Sequence, residues 1–142
     1  MFNTIMVATD GSQHGDSAVD LAKSLAQQEK SKVVVIHVTE LAVGRGGGYP
    51  IAVNEGEILT KIRAQVADFD SVGVPAELTT PVVSLGGPAH VIAEAAKSVG
   101  ADLIVVGSRG HSPLSQFVLG SVPVRLLQLA NCPVLVVPPH ER

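Results

Sequence analysis

Four short, unbroken apolar runs punctuate the chain: Ile5-Met6-Val7-Ala8, Val33-Val34-Val35-Ile36, Leu103-Ile104-Val105-Val106 and Val134-Leu135-Val136-Val137. Runs of this length with no alternating polar position suit strands covered on both faces, as in a parallel sheet. A weaker segment, Glu77 to Val83, lies between the breaks Gly73-Val74-Pro75 and Gly86-Gly87-Pro88, and reads as an edge strand. Between the runs, apolar residues recur at helical spacing in Ala18, Leu21, Ala22, Leu25 and Ala26, and again in Ile58, Leu59, Ile62, Val66 and Phe69. A third stripe runs through Val91, Ile92, Ala95, Ala96 and Val99, and a fourth from Val122 to Ala130 through Leu126, Leu127 and Leu129. Each predicts a helix with one buried face. Pro88 and Pro123 fall in first turns, where a missing N–H costs nothing. Strand and helix therefore alternate as βαβαβαβαβ, the pattern of an α/β fold with right-handed crossovers and helices on both faces of a parallel sheet.

Composition narrows the function classes. The chain has 142 residues and 46% hydrophobic content, enough for one domain over residues 1–142 that encloses one sheet. Its aromatics are Phe2, Phe69, Phe117 and Tyr49, and the ten Lys and Arg residues are scattered within a net charge of −3. Base-stacking platforms and a basic footprint are both wanting, so no nucleic acid and no anionic membrane is expected as a partner. Cys132 is the single cysteine, which suits a reducing compartment. The N-terminal residues resemble no secretory signal and no apolar run reaches the length of a spanning helix. A cytoplasmic protein that handles a small ligand or a protein partner is the expectation.

Two stretches are rich in glycine. Thr39 to Pro50 contains Gly44, Gly46, Gly47 and Gly48 and reads as a surface loop or tolerated insertion. After the fourth strand the chain reads Gly107-Ser108-Arg109-Gly110, nine residues from His111 to Leu119, then Gly120-Ser121 opening a helix. Glycines let a backbone approach an anion closely, and the first-turn N–H groups of a helix carry positive partial charge. Phosphate is the anion such a site suits, with hydroxyls from Ser108 and Ser121 and a cation from Arg109. The alternative is an ordinary flexible connection in which Ser121 acts only as an N-cap. The length of the segment, well beyond a usual βα loop, favours function. Neither common nucleotide fingerprint, Gly-x-x-x-x-Gly-Lys-Ser/Thr or Gly-x-Gly-x-x-Gly, occurs.

The spacing Gly-x-x-Gly, nine residues, Gly-Ser resembles the ATP-binding signature of the universal stress protein (UspA-like) family. Ile5 to Ser12, His37-Val38, Pro88-Ala89, Ala101 to Gly110 and Cys132 to Val137 match the same family in the same order. The resemblance spans essentially the whole chain. It implies an open five-stranded parallel sheet of order 3-2-1-4-5, adenine nucleotide alpha hydrolase-like, with ATP, or ADP or AMP, as cofactor and Mg²⁺ or Mn²⁺ carried by the phosphates. In that order strands 1 and 4 are neighbours whose crossovers diverge, and ligands of open α/β sheets sit at such a switch point. The resemblance assigns Asp10 to the adenosine part and puts Ala8, Thr9 and Val38 beside adenine and ribose. Gly107, Gly110, Gly120, Ser121 and Val122 would meet phosphates and ribose, with Val106 beneath them and Ser108 and Arg109 in the same loop. Taken alone, Asp10 reads as a turn residue that caps the first helix together with Ser12, and Val38 as core.

Pro123 departs from the small polar residue frequent after Gly-Ser-Val in this family and removes one N–H. His111 falls in a variable position of the signature, and His37, inside an apolar strand, reads as a satisfied core histidine. No set of residues recognisable from sequence positions cations and orients a nucleophile for phosphoryl transfer, and Cys132 reads as core. The expectation is a stress-response module that holds ATP more than it consumes it. Its alternatives are a nucleotide-independent dimeric scaffold and a slow ATPase. Val134 to Val137, at the edge of the implied sheet, would pair two copies into a homodimer, with a further protein partner unidentified.

Overall fold

The computed structural model describes residues 1–39, 55–109 and 119–139. Its elements are β1 (Thr4–Ala8), α1 (Gln13–Glu29), β2 (Lys32–Ile36), α2 (Glu55–Ser71), β3 (Ala76–Thr79), α3 (Gly87–Val99), β4 (Leu103–Gly107), α4 (Ser121–Leu129) and β5 (Val134–Val137). The five strands form one sheet of order β3-β2-β1-β4-β5, all pairs parallel. The expected alternation and strand order are both present.

Side chains that alternate along each strand divide the core into two layers. Ile5, Val7, Val33, Val35, Leu103, Val105 and Val137 face α1 and α2. Met6, Ala8, Val34, Ile36, Ile104 and Val106 face α3 and α4. Every residue of β1 and β4 is buried, which is why those segments show no polar alternation in sequence.

Helix α1 starts where the Ser12 side chain accepts the Gly15 N–H at 3.2 Å, and ends at Lys30, whose φ of 59° is left-handed. Its buried stripe is Gly15, Ala18, Val19, Ala22 and Ala26; Leu21, expected on it, is 39% exposed. Such small residues let α1 lie close to the strands. Val99 and Leu127, also expected inside, are exposed, because α3 and α4 each bury a narrower stripe: Ala89, Ile92 and Ala96 in one, Pro123 and Leu126 in the other.

The edge strand is shorter than the expected Glu77 to Val83. It stops at Thr79 and resumes only as an isolated bridge between Thr39 and Val82. Pro81 lies between and brings no N–H to the ladder, although its carbonyl accepts the Thr39 N–H at 2.9 Å. At the opposite end of the sheet, Asp102 accepts the N–H groups of Asn3 at 2.9 Å and Thr4 at 3.2 Å, fixing the start of β1 beside β4. Among the described residues no helix is long and apolar enough to cross a membrane.

Candidate functional site

The carboxyl ends of β1 and β4 are adjacent, with Ala8 paired to Val106. Beyond them the chain leaves in opposite directions, β1 into α1 and β4 toward α4, so a crevice opens between the two turns. On the α3 and α4 side its floor is apolar: Ala8 and Val106 are buried in one cluster against which Val38 and Val122 pack, half-buried. Four of the apolar residues singled out from the sequence are therefore gathered on one face.

The β1 turn is rigidly built. Thr9 is 5% exposed; its N–H donates to Ile36 O at 3.1 Å and its hydroxyl oxygen accepts the Gly11 N–H at 3.1 Å. Asp10 Oδ1 accepts the Ser12 N–H at 3.0 Å, so the capping role read for Asp10 and Ser12 is real. A carboxylate has further acceptor positions, and this residue remains half-buried at the crevice. His37 is the satisfied core histidine expected: it is 4% exposed, with Nδ1 at 2.9 Å from Thr9 O and Nε2 at 2.6 Å from Glu55 Oε2. Since a carbonyl only accepts, Nδ1 is the donor to Thr9. The imidazole thereby ties β2 and the first residue of α2 to the β1 turn.

Across the crevice, the Ser108 N–H donates to Val137 O at 2.9 Å and its carbonyl accepts the Gly120 N–H at 2.8 Å. That second bond brings the end of the glycine segment back to its beginning. Gly120, not Ser121, is the N-cap of α4, with extended φ of −67° and no side-chain cap. Ser121 is instead the first helical residue, exposed, because the Gly120 carbonyl is the group that accepts the first helix bond, from Val124 at 3.5 Å. With Pro123 at the third position, the first-turn donors facing outward are the N–H groups of Ser121 and Val122. Gly107 is in tight contact: a Cβ there would lie 2.7 Å from the His14 carbonyl oxygen and 2.8 Å from its carbon. Gly110, His111 and the Thr39 to Pro50 loop after Thr39 lie outside the described residues.

The crevice also contains a residue that sequence reasoning missed. His14, in the first turn of α1, places Nδ1 3.4 Å from Ser108 Oγ. Burial and the Arg109 guanidinium hold its imidazole below the ordinary value, with Asp10 pulling the other way.

Cys132 is half-buried against the α3 and α4 cluster, and burial, with the Asp102 charge, pushes its thiol up. It is packed as core and disfavours the thiolate a nucleophile needs. Among the described residues no three His, Cys, Asp or Glu side chains are grouped to hold a metal ion.

The universal stress protein family model matches residues 1–138. The chain belongs to that family. Universal stress protein YxiE of Bacillus subtilis is 37% identical over 153 residues, covering 96% of this chain and 99% of the relative. Among solved structures, protein MJ0577 of Methanocaldococcus jannaschii superposes with a TM-score of 0.81 at 26% identity over 100% of this chain and 99% of that one. A universal stress protein solved in complex with cAMP gives a TM-score of 0.69 at 28% identity, covering 96% and 97%. The family model and the relatives carry family membership, and the solved structures share the open α/β architecture.

Proposed function

We propose that this chain is a single-domain, cytoplasmic stress-response module that holds an adenine nucleotide, ATP foremost, in the crevice between the β1 and β4 ends. The observation that carries the reading is the Ser108 carbonyl on the Gly120 N–H at 2.8 Å, which sets the Gly107 turn and the start of α4 side by side next to the Asp10 turn. A base fits the apolar floor of Ala8, Val38 and Val106; Asp10 and Thr9 border the ribose; Gly107, Ser108, Arg109, Gly110, Gly120, Ser121 and Val122 meet the phosphates. The residues suit the group: an apolar patch is joined to outward N–H donors and a guanidinium, the mix a nucleotide site requires. The nucleotide supplies a polyanionic tail, and Mg²⁺ or Mn²⁺ arrives on that tail, held by phosphate oxygens and water. The cAMP complex of a relative supports adenine chemistry at this fold.

Occupancy is the proposed signal. The nucleotide must bind two arrangements of the glycine segment unequally for a protein partner to read it. Equilibrium dialysis of the full chain against labelled ATP tests the reading, with retention expected. Absence of retention at millimolar nucleotide rejects it.

A second reading, a dimeric scaffold independent of nucleotide, is favoured by β5: Leu135 is 37% exposed on an all-apolar edge strand, an edge suited to pairing with another copy. Sedimentation with and without ATP separates the two, since a dimer that forms identically while dialysis shows no nucleotide supports the scaffold.

A further inference from the structure

We infer that His14 is the proton-linked reader of the phosphate tail, so that ATP is held more tightly as pH falls while adenosine is not. The inference deepens the nucleotide reading and rests on it. His14 lies on α1, outside the glycine segment, yet its Nδ1 is 3.4 Å from Ser108 Oγ and its carbonyl presses on Gly107. Ser108 is the residue whose carbonyl bonds Gly120, the cap of α4. Two residues, Ser108 and Gly120, therefore link the imidazole to the first-turn donors proposed to hold phosphate.

The charged groups that face His14 are Arg109, from the β4 end, and Asp10, from the β1 end. Without a ligand, burial and Arg109 oppose a proton on the ring and Asp10 favours one. A polyphosphate brought to this end engages Arg109 and adds several negative charges beside the Asp10 carboxylate. The charges around the ring then favour its protonated form more than they do without ligand. A group with a higher proton affinity in the complex than in the free protein strengthens binding below its titration and loses that strengthening as pH rises through it. Adenosine brings no such charge. Affinity is therefore expected to discriminate by phosphate number at low pH more than at high pH.

An interaction between partly screened charges predicts ATP affinity about fivefold tighter near pH 6 than near pH 8. The test is calorimetric titration of the full chain with ATP and with adenosine, in chelator, at several pH values and in buffers of different ionisation heat. The terminal phosphate of ATP titrates in the same range, so the reading is the difference between wild type and His14→Asn, which keeps a polar group near Ser108. Expected are extra proton uptake and a steeper pH dependence in wild type with ATP, and no difference with adenosine. ATP bound with the same proton count and pH profile by both proteins overturns the inference and leaves the nucleotide reading intact. No ATP bound at any pH overturns both. Should His14→Asn fold poorly, the ring resonances of wild-type His14 decide: an upward shift of their titration midpoint with ATP supports the inference, and an unmoved midpoint overturns it.

Discussion

Replacing Gly107 with alanine adds one methyl where the structure has no room for it. The new Cβ would stand 2.7 Å from the His14 carbonyl oxygen, 2.8 Å from its carbonyl carbon and 3.0 Å from its Cβ. The first two are backbone atoms of a helix whose start is held by the Ser12 cap on Gly15, so α1 cannot yield by rotating a side chain. The strand is itself held in the plane of the sheet, where Gly107 pairs with Val137. Overpacking of this kind costs about 1–3 kcal/mol, which for a chain of this size lowers the melting temperature by about 3–10 °C. Gly56→Ala is the matched control: nothing lies within 4 Å of its added Cβ, and in the first turn of α2 alanine stabilises by about 0.5–1 kcal/mol. Urea and thermal unfolding followed by circular dichroism on both variants should move in opposite directions. A Gly107→Ala protein as stable as wild type would refute the claim that α1 and β4 meet backbone to backbone. The same substitution separates α1 from the β4 turn and should weaken ATP retention, whereas Gly56→Ala should leave retention unchanged.

Lys30→Gly relieves a left-handed backbone at the end of α1, where φ is 59°, and should raise stability by about 0.5–1 kcal/mol in chemical denaturation. Asp102→Ala removes the carboxylate that accepts the Asn3 and Thr4 N–H groups; a loss of about 1–3 kcal/mol is expected with no change in nucleotide retention, because these bonds lie at the amino end of the sheet. In the ligand-free protein, His14 binds protons less readily than in the unfolded chain owing to burial and Arg109. The unfolded state therefore holds more protons between the folded and ordinary imidazole titrations. Stability should rise with pH through that window and be lost as pH falls through it, and His14→Asn should flatten that part of the urea midpoint profile.

Much of this architecture was legible because β1, β2 and β4 are sealed on both faces and so carry unbroken apolar runs. The edge was harder to read: apolar and polar residues continue to Val83, but the missing N–H of Pro81 cuts the ladder after Thr79, a backbone effect invisible to hydropathy. Leu21, Val99 and Leu127 fit helical spacing yet face outward, because a stripe of alanines lets α1 settle close to the sheet and the other two helices bury only narrow faces. At the site, the nearness of Asp10 to Gly107 followed from strand order. The cap at Gly120 in place of Ser121 did not, since either residue type can end a loop and only the backbone bond from Val124 to the Gly120 carbonyl decides where the helix begins. His14 escaped notice because nothing in its local sequence reports that Ser108, remote in the chain, comes to rest against it.

The strand order has a consequence during synthesis. Strand β1 pairs on one side with β2, made soon after it, and on the other with β4, made only after α3. Until β4 leaves the ribosome, a strand that is buried along its whole length in the finished fold has one row of backbone groups uncovered, a template for unwanted pairing with other nascent chains. The crevice is completed later still, when α4 follows. A ligand held there would bind a finished chain and not a partial one, so its binding would register completion of the fold as well as its own concentration.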